Sequence, residues 1–283
     1  METSPARRRR RAPRPRTGAV ALTDRDRLLL AFAAEQRFVT AAQIALLLAT
    51  TTTAADTRLR VLSTGGYLLR EQKLYGAPAA HRVTRVGLRA TGSDLATPRK
   101  LDLATYRHDE ALVWLRLAAQ RGRFGPLRAV VSERRMRSED GRRERDGPRH
   151  GVRLGGVGPN GRDRRHYPDM VVVTASGHRV AFELELSSKG RERRERILAG
   201  YAADRRIDGV IYLVDRPGVG TLIERSAARV GISDLVRVQN VRLRGSPPSA
   251  GAARGAERSH GPYAGGPRPG GPRTGAPSPE SGR

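Results

Sequence analysis

Apolar residues recur at helical spacing from Thr23 onward. In TDRDRLLLAFAAEQR, residues 23–37, Leu28, Leu29, Ala31 and Phe32 form a stripe, Thr23 stands at the N-cap, and Asp24 and Asp26 occupy the first turn, so a helix is predicted. In FVTAAQIALLLA, residues 38–49, Thr40 and Gln43 have capping-box spacing, and Val39 and Ile44 hold the two positions of a hydrophobic staple. A third helix follows, with Ala55, Leu59 and Leu62 as its buried stripe and Gly65 and Gly66 as its stop. The period then shortens. GYLLREQKLYG (66–76) and AAHRVTRVGLRAT (79–91) predict two short strands around Gly76 and Pro78.

The second half of the chain opens on YRHDEALVWLRLAAQR (106–121), a helix with Leu112, Leu115 and Ala119 on one face, widened by Val113, Trp114 and Leu117. LRAVVSERRM (127–136) predicts a strand. Residues 137–165 carry charge and glycine without period and are expected to form a mobile loop. Its GVRLGGVGPNG stretch lacks both the preceding strand and the following Lys-Ser/Thr of a phosphate loop, and so predicts a linker. YPDMVVV (167–173) and HRVAFELELS (178–187) predict strands around Ala175, Ser176 and Gly177. A helix comes next, over 189–206, with Ile197, Leu198 and Tyr201 facing inward. IDGVIYLVD is a strand of a sheet interior, and GTLIERSAARVGI and LVRVQNVRL predict one more helix and strand. The expected fold class is therefore mixed α/β (α+β): a three-helix module with a hairpin over 21–95, then an αβββαβ domain over 96–243. The flanks, 1–20 and 244–283, are rich in arginine or in glycine, proline and serine, and predict disorder.

Charge sharpens this picture. The chain has 54 Lys and Arg against 28 Asp and Glu, a formal net charge of +26. Residues 1–17 hold +6 of it and residues 245–283 hold +3, leaving +17 for the patterned middle. Such a field attracts polyanions, and double-stranded DNA is the expected partner rather than a membrane surface. The arginine run at 7–11 reads equally as a polyanion-binding arm or a solvated tail. There is no cysteine, which excludes disulfides and thiolate chemistry. No apolar run approaches the roughly 20 residues that cross a bilayer, and the basic start is not followed by an apolar signal segment, so a cytoplasmic location is expected.

Three helices followed by a hairpin, with TRLRVLSTGGYLLR between them, resemble a winged helix-turn-helix domain. That resemblance implies that Thr51, Thr52, Thr53, Asp56, Thr57 and Arg60 face the major groove, with Arg58, Arg70, Lys73, Arg82 and Arg85 near phosphates. The competing reading is a solvated cap and surface charge, or a winged domain that contacts protein.

Acidic residues supply the candidate chemistry. Asp169 heads one predicted strand, and Glu183 and Glu185 lie two apart on the next, so the two glutamates share a face that hairpin pairing brings to Asp169. Clustered carboxylates suit Mg²⁺, with Asp169 and Glu183 as ligands, and the element order matches the restriction-endonuclease-like PD-(D/E)xK fold. The site departs from that pattern: Glu185 stands where lysine is usual, and Lys189 is the nearest substitute. The plain alternative is strand alternation, with Phe182, Leu184 and Leu186 inside and Glu183, Glu185 and Ser187 on an outer polar face.

Taken together, the first module, YRHDEALVWLRLA and HYPDMVVV…AFELELSSKGRERRERILAGYAADRRIDGVIYLV resemble the replication-relaxation family of actinobacterial plasmids and integrative elements. This implies DNA binding in replication or mobilisation of a mobile element, with a homodimer or a relaxosome component as partner. The family also carries a recurrent histidine at the position of His108, which alone reads as a structural hydrogen-bonder. Two other classes stay open: a Mg²⁺-dependent endonuclease using Asp169, Glu183, Glu185 and Lys189, and a winged-helix transcriptional regulator.

Overall fold

The computed structural model describes residues 20–73, 75–142, 149–158, 161 and 163–243. The arginine run at 7–11 and the segment from 244 onward lie outside the described residues, as do parts of the segment expected as a loop. Helix α1 (Asp24–Glu35) starts as predicted: Asp26 N–H donates to Thr23 Oγ1, and Thr23 N–H donates to the Asp26 carboxylate at 2.8 Å. Its buried face is not the predicted stripe. Leu29, Leu30, Phe32 and Ala33 turn inward, while Leu28 is 53 % exposed and Ala31 is exposed. The cause is Asp26, buried and ion-paired with Arg58, which commits its own i+3 and i+4 neighbours, Leu29 and Leu30, to the core.

Helix α2 (Ala41–Leu47) begins where Thr40 N–H donates to Gln43 Oε1 at 2.9 Å, and Val39 and Ile44 are both fully buried. Helix α3 (Thr52–Thr64) buries Ala55, Leu59 and Leu62. Strands β1 (Leu68–Glu71) and β2 (Ala80–Val83) pair antiparallel. The second predicted strand is too long, because residues from Arg85 form helix α4 (Arg85–Ala90). Thr84 Oγ1 caps it by accepting from Gly87 N–H at 3.1 Å. Gly87 is required there, since a Cβ would lie 2.3 Å from the Tyr67 carbonyl oxygen. Six residues are too few for periods of 2 and 3.6 to separate in sequence.

Helix α5 (Tyr106–Gln120) is apolar on two sides because it serves two cores. Val113 and Leu117 join the three-helix core, while Ala111, Leu115 and Ala119 pack with Met170, Val172, Phe182 and Leu184 of the sheet. Residues through Leu243 accordingly form one compact unit, and the expected boundary at 95–96 is not a break in packing. Polar bonds reinforce the seam. Glu35 accepts from Ser132 Oγ at 2.6 Å and pairs with Arg135 at 2.7 Å, and Arg37 bridges Asp109 and Glu133.

Strand β3 (Leu127–Ser132) stops earlier than predicted. Ser132 Oγ accepts from Arg135 N–H at 3.1 Å and helix α6 (Glu133–Arg142) begins. The expected loop over 137–165 therefore holds the end of α6 and then a separate antiparallel ribbon, β4 (Val152–Val157) and β5 (Asp163–His166). Periodicity misses α6 because only Met136 and Asp140 of that helix are buried.

The main sheet adds β6 (Met170–Thr174), β7 (Arg179–Glu185), β8 (Gly209–Val214) and β9 (Val236–Asn240) in the order β3-β6-β7-β8-β9. β3, β6 and β7 run antiparallel to one another, whereas β7, β8 and β9 are parallel. Helices α7 (Arg191–Ala202) and α8 (Pro217–Val230) cover one face with Ala181, Val210, Tyr212 and Val214, and α5 covers the other. The described residues thus form a mixed α/β fold of eight helices and three sheets, with β7 enclosed on both sides.

Candidate functional site

The β7 acids do not face water. Glu183 is 3 % exposed and Glu185 7 %, so an outer polar face is ruled out by the helix packed over them. The pairing of Met170 with Phe182, continued by one residue, sets Asp169 across from Glu183. Asp169 Oδ2 accepts from Leu184 N–H at 2.8 Å, which pins the carboxylate at the mouth of the sheet. On the opposite side Glu183 neighbours Tyr212 of β8. The sequence-predicted acids are therefore adjacent along the sheet.

Each acid also has a basic partner. His108, in the first turn of α5, places Nε2 3.3 Å from Asp169 Oδ2 and Nδ1 3.7 Å from Asp109 Oδ1. His166, the last residue of β5, places Nε2 2.6 Å from Glu183 Oε1, and the Tyr201 hydroxyl from α7 donates to the same oxygen. Lys189 Nζ donates to Glu185 Oε2. The turn bearing Lys189 is held by the buried Arg194, which donates to the Lys189 carbonyl at 2.8 Å and to Ser226 Oγ at 2.9 Å.

These pairings set the charges. Burial opposes protonation of His108, but Asp109 and Asp169 outweigh it and raise its pKa to about 10. Burial likewise opposes charge on both His166 and Glu183, yet their mutual attraction raises the imidazole and lowers the carboxyl. Burial raises the Glu185 carboxyl despite Lys189. Burial and the neighbouring Glu183 push the Tyr201 phenol well above its ordinary range. His108 and His166 are thus both biased toward the charged form beside Asp169 and Glu183.

A dication does not fit this arrangement. Mg²⁺ bound to Asp169 and Glu183 would sit against His108 and His166, whose positive charge already meets those oxygens. Among the described residues no three His, Asp or Glu side chains are gathered where they could hold one metal ion.

The cluster floors a cleft of about 720 Å³ that reaches from the first module to the sheet. Its rim is basic, with Arg99, Lys100, Arg107, Arg193 and Arg216, and Arg137 lies over the Tyr167 ring at 4.4 Å from its centroid. Sequence reasoning assigned no role to His166, Tyr201 or Asp215. His166 and Tyr201 reach Glu183 only through tertiary structure, and a single sequence carries no signal for that. The Asp215 carboxylate lines the same cleft, with Oδ1 lacking a hydrogen bond and Arg216 3.8 Å away.

The predicted DNA-facing residues sort into two groups. Thr51 Oγ1 caps α3 by accepting from Ala54 N–H at 3.2 Å. Thr52, Thr53, Thr57 and Arg60 are exposed, and Asp56 is half-buried and pairs with Arg60 at 2.6 Å. Arg70, Lys73 and Arg85 are exposed and make no ion pair among the described residues. Arg58 and Arg82 are instead internal fasteners. Arg58 Nε donates to the buried Asp26 at 2.6 Å, and Arg82 bonds Glu71 at 2.8 Å and the Pro98 and Arg99 carbonyls at 2.9 and 3.0 Å. Arg85 lies on α4 and not on a strand of the hairpin.

No helix of the described residues is long and apolar enough to cross a membrane. Comparison of the chain with family models, curated proteins and solved structures returns no match.

Proposed function

We propose that the protein binds double-stranded DNA in the manner of a winged helix-turn-helix, through α3 and the β1–β2 hairpin, in replication or mobilisation of a plasmid or integrative element. One observation carries the reading. Thr53, Thr57 and Arg60 lie on the face of α3 opposite the buried Ala55, Leu59 and Leu62, and that face is exposed. Arg70 and Lys73 of the hairpin and Arg85 and Arg89 of α4, all exposed and without carboxylate partners among the described residues, are cations suited to phosphates. The role in a mobile element rests on the family resemblance of the sequence.

In this proposal the sheet half is a nuclease-like scaffold that holds rather than cuts. The support is the pairing of Asp169, Glu183 and Glu185 with His108, His166 and Lys189, which occupies the carboxylate oxygens that Mg²⁺ would use. Mobility shifts on the DNA flanking the gene test the binding claim across a salt series. A sequence-selective complex whose affinity falls with salt is expected, and equal weak affinity for every duplex removes the specific-reader claim. Incubation of supercoiled plasmid with Mg²⁺ or Mn²⁺ tests the second claim. Nicking that disappears in Asp169→Ala would establish an endonuclease in its place.

A further inference from the structure

The β4–β5 ribbon is anchored at one end only. At its base Val152 is buried against α7, and Gly200 of α7 comes so close that a Cβ there would lie 2.6 Å from the Arg153 carbonyl oxygen. Asp140 accepts from His150 N–H at 2.8 Å and from Gly151 N–H at 3.0 Å, and Arg165 donates to the Gly151 carbonyl at 2.8 Å. His166 ties the far side of the base to Glu183. Beyond this clamp Leu154 still packs against the same core, and the packing then ends among the described residues. Gly155 and Gly156 take φ of 73° and 71° with nothing within 4 Å of their would-be Cβ atoms, and Val157 is 72 % exposed.

The exposed half is basic on both faces. Arg153 pairs in register with Arg165, so their side chains share one face, where Asp163 is the one carboxylate, 3.0 Å from Arg153 and 3.2 Å from Arg165. Arg164, next along β5, points to the other face, is exposed and makes no ion pair among the described residues. Arg165 is turned into the base, so among the described residues the exposed charges of the strand pair are Arg153 and Arg164 against Asp163, an excess of +1. An isolated two-stranded hairpin is marginal by itself, and this one gains almost nothing from its own outer half. A two-stranded ribbon fits the DNA major groove, about 12 Å wide, and exposed arginines on it come within reach of phosphates.

We infer that the β4–β5 ribbon is a second duplex-DNA contact, with Arg153 and Arg164 meeting phosphates. This deepens the DNA-binding proposal and rests on it. The test is fluorescence anisotropy of the full chain on labelled duplexes of several sequences and on one single strand over a salt series, comparing wild type, the double variant Arg153→Ser with Arg164→Ser, and Arg60→Ala. For the ribbon variant, affinity falls roughly tenfold near physiological salt, and the log–log salt slope shrinks by about two. Its melting temperature and its preference among duplex sequences stay at wild-type values, because neither arginine packs in a core. Wild-type affinity and slope in the ribbon variant, alongside weakened binding in Arg60→Ala, overturn the inference while leaving α3 as reader. A folded wild type that binds no duplex sinks both. Loss confined to single-stranded DNA overturns the duplex assignment.

Discussion

His166 Nε2 lies 2.6 Å from Glu183 Oε1, and this buried pair joins the end of the β4–β5 ribbon to the centre of the main sheet. The Tyr201 hydroxyl shares the same oxygen, so the carboxylate is held from both the ribbon and α7. Removing its charge leaves an imidazolium buried without a counterion. Glu183→Gln is expected to cost about 3 kcal/mol in urea unfolding, and a double-mutant cycle with His166→Ala to give a coupling of about 2 kcal/mol. Millimolar Mg²⁺ leaves the wild-type melting temperature unchanged. A clear Mg²⁺ stabilisation that Glu183→Gln abolishes would show that a metal, not His166, is the native partner.

His108 offers a direct measurement of the same charge balance. Its folded pKa of about 10 lies above the ordinary 6.5, so its contribution to stability is complete below about pH 6.5 and is lost as pH rises through 10. NMR of the ring is expected to show imidazolium at about pH 8, and a lower pKa in Asp169→Asn, where Asp109 remains as its partner. A wild-type ring that is neutral at pH 8 contradicts the pairing.

His81 behaves in the opposite sense. It is fully buried on β2, with Nδ1 3.2 Å from Ser63 Oγ and Nε2 unbonded, and burial together with the Arg70 charge lowers its pKa to about 4. The unfolded chain then binds the proton more tightly. Stability is full above about pH 6.5 and falls by up to about 3 kcal/mol as pH drops to 4. In His81→Leu, the difference from wild type in unfolding free energy should shift by about that amount over the same window. Parallel pH profiles for the two proteins would remove His81 as the source.

The sorting of basic residues predicts two kinds of variant. Arg58→Ala strands the buried Asp26, whose pKa is held at about 2 by Arg58 and Thr23 against the effect of burial. It should cost about 3 kcal/mol of stability. Arg70→Ala and Lys73→Ala should leave unfolding untouched while each weakens DNA binding and lowers the salt slope by about one. The reverse pattern, stability lost at Arg70 and affinity alone lost at Arg58, would exchange their roles.

Gly87→Ala is expected to destabilise by about 3 kcal/mol, because the new methyl would press on the Tyr67 carbonyl and on Val83. Calorimetry of Gly92→Ala provides the contrast. Gly92 has open space, and its cost arises from its φ of 65° alone, about 1 kcal/mol.

Much of this molecule is set locally and was legible. Thr23 and Asp26, Val39 and Ile44, and Ala55 with Leu59 and Leu62 declare the first three helices, because capping and helical period act over a few residues. The strands of the main sheet and the adjacency of Asp169 to Glu183 follow equally from alternation and hairpin pairing. Helix α6 and the ribbon after it were hidden, since their residues are charged or glycine and bury little to mark a period.

What the chain could not declare is where each charge ends. Arg58 and Arg70 look alike in sequence, yet one is spent on Asp26 and the other makes no ion pair among the described residues. Glu183 and Glu185 look like solvent-facing partners of a half-buried strand until α7 lies over them and His166 arrives from the ribbon. Electrostatic identity depends on distance and burial, and both are settled by contacts between residues far apart in the chain, which periodicity does not encode.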